Sequence, residues 1–164
     1  MSAAYPVLRP ALGRERAARV FPGTPVSIER ARAFVAAELA GCPAQDTLVT
    51  CVSELCTNAI RHTRSGAGGV FTVEVIRPRE GVACVAVTDG GGDGEPRVRP
   101  VERRFDGLLK YPSDVSDLAE GGRGLSLVAA LTSRWGHFPA GQAGGGRTVW
   151  AEATWPIGVP SSHR

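Results

Sequence analysis

Apolar residues recur at intervals of three and four in two long segments of the chain, the spacing that places side chains on one face of an α-helix. The first segment begins at Thr24-Pro25, a capping threonine before a proline at the first helical position, and ends before Gly41 and Pro43. The second runs from about residue 44 to His62. These two amphipathic helices should bury Ile28, Ala31, Val35 and Leu39 in the first, and Leu48, Val52, Leu55 and Ala59 in the second.

Strand patterns follow the second helix and return near the end of the chain. Residues 70–77 alternate between apolar and polar, and residues 82–87 are almost continuously apolar after a short turn, which predicts a β-hairpin. Residues 135–138 and 147–154 predict a second hairpin across a glycine-rich connection. Between the two hairpins, residues 124–134 predict a short helix.

Three stretches lack a sustained pattern. Residues 1–20 predict either a loose arm or a first strand centred on residues 18–21. Residues 90–120 are rich in Gly, Pro, Asp and Arg, which is typical of a functional lid or of disorder, and the tail over 157–164 should fray. We therefore expect one domain over residues 21–156, folded as a two-layer α/β (α+β) sandwich with a mixed, mostly antiparallel sheet and helices on one face.

Charge and composition exclude several classes of protein. The chain has 19 Lys and Arg against 16 Asp and Glu, a net charge of +3, and its arginines are spread along the sequence. That distribution does not indicate direct nucleic-acid binding, although it favours phosphate ligands slightly. No apolar run approaches the about 18 residues of a membrane span, and residues 1–5 lack the features of a signal peptide. We expect a cytoplasmic protein with no membrane contact.

The four cysteines, at positions 42, 51, 56 and 84, form no C-x-x-C pair and have no histidine at the spacing of a zinc site. Three of them lie in apolar segments, where a free cysteine packs as a small hydrophobic residue. The sequence therefore predicts reduced, buried thiols.

Asp89 follows the second predicted strand and precedes three glycines. A carboxylate in that place can accept a hydrogen bond from the exocyclic amine of adenine, whereas guanine presents a carbonyl there. A hydrogen bond to a charged group contributes about 1.5–3 kcal/mol, enough to select ATP over GTP. The alternative is that Asp-Gly-Gly simply forms a turn after a strand.

Glu54 and Asn58 lie four residues apart on the second predicted helix, beside its buried stripe. Magnesium prefers oxygen ligands and takes one or two from protein, so the Asn58 amide oxygen suits it. Glu54 has the chemistry of a general base for a hydroxyl that attacks the γ-phosphate. The alternative is an ordinary solvated helix face.

A glycine-rich segment, Gly121-Gly122-Arg123-Gly124-Leu125, opens the third predicted helix. Backbone N–H groups and the helix dipole favour an anion at such a place, and Arg123 adds a donor. The segment lacks the Lys-Ser/Thr ending of a Walker loop, and alone it would also suit a flexible linker. Together, the three segments in this order predict a pocket for an adenine nucleotide.

The same three segments resemble the N, G1 and G2 boxes of the GHKL ATPases, the superfamily of gyrase, histidine kinases and MutL. The run from Glu54 to His62 is most similar to the single-domain anti-sigma-factor serine kinases and the related actinobacterial ATP-binding regulators. The resemblance covers roughly Phe21 to Trp155 and implies ATP and Mg²⁺ as cofactors. It implies that Glu54 is the catalytic base and Asn58 the magnesium ligand. It further implies a nucleotide-binding set of Asn58, His62, Asp89, Gly91, Gly122, Arg123, Gly124 and Leu125.

Two features qualify this resemblance. Asp93 stands where the G1 box has its second glycine, and a carboxylate there would repel phosphate and weaken ATP binding. The lid from Arg97 to Glu120 carries no assignable motif. His62 is not expected to be a phosphoacceptor, because it lies at the end of a helix, where histidine complements the dipole.

Two functions of different classes follow. In the first, the protein phosphorylates a serine on an anti-sigma-factor antagonist of the STAS type, sequesters a sigma factor, or does both. In the second, it is a nucleotide-dependent binding module without kinase activity. A fragment of a sensor histidine kinase fits poorly, since the residues before position 21 are too few for a dimerisation hairpin. The resemblance also implies a homodimer.

Overall fold

The computed structural model describes residues 15–92, 123–140 and 145–158. Outside these residues lie the predicted arm before residue 15, the lid from Arg97 to Glu120 and the end of the tail, so the domain boundaries stay predictions. The described elements are β1 (Glu15–Pro22), α1 (Val26–Glu38), α2 (Gln45–His62), a 3₁₀ turn (Arg64–Gly66), β2 (Val70–Arg79), β3 (Val82–Asp89), α3 (Arg123–Leu131), β4 (Arg134–Pro139) and β5 (Arg147–Thr154).

The five strands form one sheet in the order β1-β2-β3-β5-β4. All four pairings among these strands are antiparallel, and both predicted hairpins are present, β2 with β3 and β4 with β5. Of the two predictions for the N-terminal segment, a strand forms, and it pairs with β2 so that Phe21 lies opposite Phe71. The predicted fold class is confirmed, with the central β3 ending at Asp89.

The helices cover one face of the sheet and form the main core with it. Alternate residues of the strands, including Val73 and Val85, face the helices and are fully buried. The predicted stripe of α2 is buried against them, and α1 packs beside α2. Burial of this apolar face is the main stabilising term of such a layer. A smaller cluster occupies the opposite face of the sheet: Ile76, Cys84, Ala86 and Trp150.

Two helix ends differ from the prediction. Helix α1 begins at Val26, and the Thr24 hydroxyl lies 3.2 Å from the Ser27 hydroxyl instead of capping a backbone amide. Helix α3 stops at Leu131, before the predicted Arg134. The reason is that Arg134 already belongs to β4, where its guanidinium donates two hydrogen bonds to the Glu152 carboxylate at 3.0 and 3.1 Å.

The predicted burial is confirmed for three of the four cysteines. All four are free thiols; Cys51, Cys56 and Cys84 are buried, and Cys42 is half-buried. No helix in the described ranges is long and apolar enough to cross a bilayer.

Candidate functional site

Helix α2 presents Glu54 and Asn58 from successive turns. Both are half-buried, because they flank Leu55 and Ala59, which point into the core. An interval of four residues on a helix puts the two side chains on one face. The carboxylate and the amide therefore stand together at the rim of the core, as the sequence predicts.

Gly124 in the first turn of α3 lies directly against this pair. A Cβ added to Gly124 would stand 2.7 Å from Glu54 Oε2 and 3.6 Å from the Asn58 side-chain nitrogen. A side chain at position 124 would displace the Glu54 carboxylate from its present place. The structure thus brings the first and third predicted segments together, since α3 packs on α2.

Asp89 closes β3, and its carboxylate is held from its own loop. The Gly91 backbone N–H donates a hydrogen bond to Asp89 Oδ1 at 2.7 Å. Gly91 has φ +73°, and a Cβ on it would stand 1.7 Å from the Gly145 carbonyl oxygen. The glycine is therefore required by its backbone angle and by the strand connection that crosses it.

The pKa of Asp89 is set by burial, by its own loop and by the neighbouring strand β5. Partial burial raises the pKa of the Asp89 carboxyl above its usual value. The Gly91 N–H, and then the charge and backbone N–H of Arg147, act in the opposite direction. Arg147 lies opposite Asp89 in the β3–β5 register. A desolvated carboxylate gains more from a hydrogen-bond donor such as an adenine amine than a solvated one does.

The Asp89 loop also contacts the C-terminal end of α2. A Cβ on Gly92 would stand 2.5 Å from the His62 carbonyl oxygen, and the Arg64 N–H donates to the Gly91 carbonyl at 2.9 Å. The second predicted segment therefore meets the same helix as the other two. It does so at the helix end, whereas Gly124 meets α2 at Glu54 and Asn58, about one to two turns earlier.

The remaining predicted site residues are placed differently. His62 is the last residue of α2, and its side chain is exposed. Leu125 is 7% exposed, and its side chain belongs to the main core. Gly122, the Arg123 side chain and Asp93 lie outside the described residues.

Two groups around the Asp89 loop were not predicted from the sequence. No local sequence pattern marks Arg147 as a site residue, because only the pairing of β3 with β5 places it beside Asp89. Arg64 and Ser65 were not among the predicted site residues, yet their side chains hydrogen-bond to Gly90. The helix-breaking glycines after Ser65 were the only hint of a tight turn there.

The residues present fit a magnesium ion bound chiefly by phosphate. Within the described ranges, His, Cys, Asp and Glu side chains form no cluster of three that would hold a metal alone. Mg²⁺ usually takes one or two protein ligands and fills its shell with phosphate oxygens and water. Asn58, half-buried beside Gly124, can supply such a single oxygen ligand.

A comparison with known protein families covers the elements that carry these residues. The family profile described as the histidine kinase-like ATPase domain matches residues 21–152, from the end of β1 into β5. The matched range includes Glu54, Asn58, Asp89 and Gly124. No curated protein matches the chain.

Proposed function

The chain belongs to the family of histidine kinase-like ATPase domains, and from that premise we propose that it is an ATP-binding regulatory protein with serine kinase activity. It transfers the γ-phosphate of ATP to a serine hydroxyl of a small partner protein, as anti-sigma-factor serine kinases do. The observation that carries the proposal is the contact of Gly124 with Glu54 and Asn58. It joins a proton acceptor and a metal ligand to the glycine-rich start of α3.

Each described residue has a role in this reaction. The Asp89 carboxylate accepts a hydrogen bond from the adenine amine, and the first turn of α3 offers backbone N–H groups to the phosphates. Glu54 takes the proton of the serine hydroxyl as its oxygen bonds to the γ-phosphorus and the bond to the β,γ-bridging oxygen breaks. ADP leaves with the electrons of that bond. Asn58 would hold Mg²⁺, which neutralises phosphate charge when bound.

The partner in this proposal is a STAS-type antagonist, a sigma factor, or both in turn. A sigma factor acts on RNA polymerase in the cytoplasm, so the proposal places the protein there. The proposal also includes a homodimer, which the resemblance implies. Neither direct nucleic-acid contact nor membrane contact is part of it.

Calorimetric titration of Mg·ATP followed by a transfer assay tests the proposal. Wild type should bind ATP, and Asn58→Ala should lose most of the magnesium-dependent part of that binding. With radiolabelled ATP and a candidate antagonist, Glu54→Gln should slow transfer by about 10²–10⁴-fold, the usual contribution of a general base. Glu29→Gln, an exposed carboxylate in the first turn of α1, serves as the control. Transfer at the wild-type rate by Glu54→Gln would disprove the base assignment.

A nucleotide-dependent binding module is the second candidate, and its sequence basis is Asp93, which stands where the G1 box has its second glycine. In that case the protein captures its partner only with ATP present, and no phosphate reaches a partner serine. Phosphate transfer that Asn58→Ala abolishes would exclude this function.

A further inference from the structure

The turn between α2 and β2 holds both backbone polar groups of Gly90, the residue immediately after Asp89. The Gly90 N–H donates to Ser65 Oγ at 2.9 Å, and the Gly90 carbonyl accepts from Arg64 Nε at 3.0 Å. The next carbonyl, of Gly91, accepts from the Arg64 backbone N–H at 2.9 Å. Three backbone polar groups of the Asp89 loop are thus fixed by two residues of one turn.

Ser65 can hold the Asp89 loop in place because hydrogen bonds fix its own side chain and backbone. It is 1% exposed, and its hydroxyl donates to the Val70 carbonyl at 2.7 Å while it accepts from Gly90. Its backbone N–H donates to the Thr63 hydroxyl at 3.1 Å, and its carbonyl accepts from the Gly69 N–H at 3.0 Å. A buried hydroxyl with both its donor and acceptor satisfied has a single orientation.

We propose that Ser65, with Arg64, is a positioning residue for nucleotide selectivity: it fixes the loop that aims the Asp89 carboxylate at the adenine amine. The connection runs from Ser65 to Gly90 and through Gly91, whose N–H holds Asp89 Oδ1 at 2.7 Å. Selection of adenine over guanine depends on where a single carboxylate points, so a loop free to rotate would lose selectivity before it lost affinity for phosphate.

This inference rests on the proposed function, because it assigns Ser65 a role in the ATP site. Its distinguishing readout is the ratio of GTP to ATP dissociation constants, measured by displacement of a fluorescent ATP analogue. A residue that only stabilises the fold would lower the melting temperature and leave that ratio unchanged. A positioning residue changes the ratio.

Ser65→Ala is the variant to test, with Ser27→Ala as its matched control. Both serines are 1% exposed, and the hydroxyl of each forms a hydrogen bond. The partner of Ser27 is the Thr24 hydroxyl at the start of α1, away from the Asp89 loop. We expect Ser65→Ala to reduce the preference for ATP by about tenfold, as the hydrogen bond to the charged Asp89 is misaligned. Ser27→Ala should keep the wild-type ratio with a similar loss of melting temperature.

A second pair of variants keeps the test decisive if Ser65→Ala does not fold. Arg64 has an exposed side chain, so Arg64→Gln should fold, and Arg61→Gln in the last turn of α2 is its control. Arg64→Gln should also lower the ratio, and Arg61→Gln should not. An unchanged ratio in the folded variants, with a wild type that prefers ATP, would overturn the inference alone. A wild type that binds no ATP would overturn the proposed function and the inference with it.

Discussion

Gly124 of α3 approaches Glu54 of α2 so closely that a Cβ on the glycine would stand 2.7 Å from the carboxylate oxygen Oε2. The two residues are 70 positions apart in sequence, and the contact exists because α3 packs across α2. The atom that a new Cβ would meet is the end of a flexible side chain. A substitution at Gly124 would therefore move the carboxylate and leave the backbone in place.

Gly124→Ala should accordingly separate function from stability. The free energy of unfolding should change by less than about 1 kcal/mol, because alanine is the better helix former. Phosphate transfer should fall by about 10²-fold, the usual effect of misplacing a reacting group by about 1 Å. Urea unfolding and the transfer assay measure the two effects.

The double variant Gly124→Ala/Glu54→Gln checks that the glycine acts through the carboxylate. Two changes that affect one interaction are not additive. The double variant should transfer phosphate no more slowly than Glu54→Gln alone, whereas independent effects would multiply.

Reactivity of the thiols provides a prediction that does not depend on nucleotide. Burial raises the pKa of Cys51, Cys56 and Cys84 to about 12, and the Glu54 charge contributes at Cys51. Because the thiolate is the reactive form, iodoacetamide at pH 8 should alkylate one thiol per native chain, the half-buried Cys42. Mass spectrometry should count four labels after unfolding in urea. A second label on the native protein within the same time would contradict the burial.

The local elements follow from the sequence because their signals are short-range. The stripe Leu48 to Ala59 specifies α2, and alternation specifies β2 and β3, since each pattern needs only neighbouring residues to be correct. The carboxylate and amide of α2 were found for the same reason. Strand β4 shows the limit of such local signals. The sequence pattern extends the third helix to Arg134, whereas the structure places Arg134 in β4, where it hydrogen-bonds to Glu152 of the neighbouring strand β5.

The surroundings of Asp89 could not be read from the sequence. Ser65 reaches the Asp89 loop by a hydrogen bond from the 3₁₀ turn, 24 positions before Asp89. Arg147 reaches the carboxylate through the pairing of β5 with β3, 58 positions after it. The resemblance places Gly91 in the nucleotide-binding set, and the structure also requires a glycine there, because a Cβ would overlap the Gly145 carbonyl. Serine and glycine are common in turns, so only the tertiary contacts of Ser65 and Gly91 distinguish them from other turn residues.

Gly91→Ala should damage the fold more than Gly41→Ala, although both glycines have a similar positive φ, +73° and +76°. Gly41 has nothing within 4 Å of an added Cβ, so its substitution should cost about 1–2 kcal/mol of backbone strain. At Gly91 the Cβ would overlap the Gly145 carbonyl, which should add about 1–3 kcal/mol of overpacking. Melting temperatures of the two variants measure the difference, and equal values would disprove the contact.

Asp89→Asn should weaken ATP binding and stabilise the protein at neutral pH. Loss of a charge-assisted hydrogen bond of about 1.5–3 kcal/mol predicts roughly ten- to a hundredfold weaker binding by calorimetry. The amide oxygen of asparagine can still accept the Gly91 N–H, so the loop should keep its shape. The melting temperature should rise, because a partly desolvated carboxylate is replaced by a neutral group.

The pH dependence of that stabilisation has a definite sign. Burial raises the pKa of Asp89 in the folded protein above its unfolded value. The stability that its proton confers is therefore fully present below the unfolded pKa and is lost as pH rises through the folded pKa. The advantage of Asp89→Asn should be constant near pH 7 and shrink as pH falls through the folded pKa towards the unfolded one. Denaturant unfolding of both proteins between pH 7 and pH 4 measures it, and an advantage that grew on acidification would show that Asp89 is stabilised as a carboxylate.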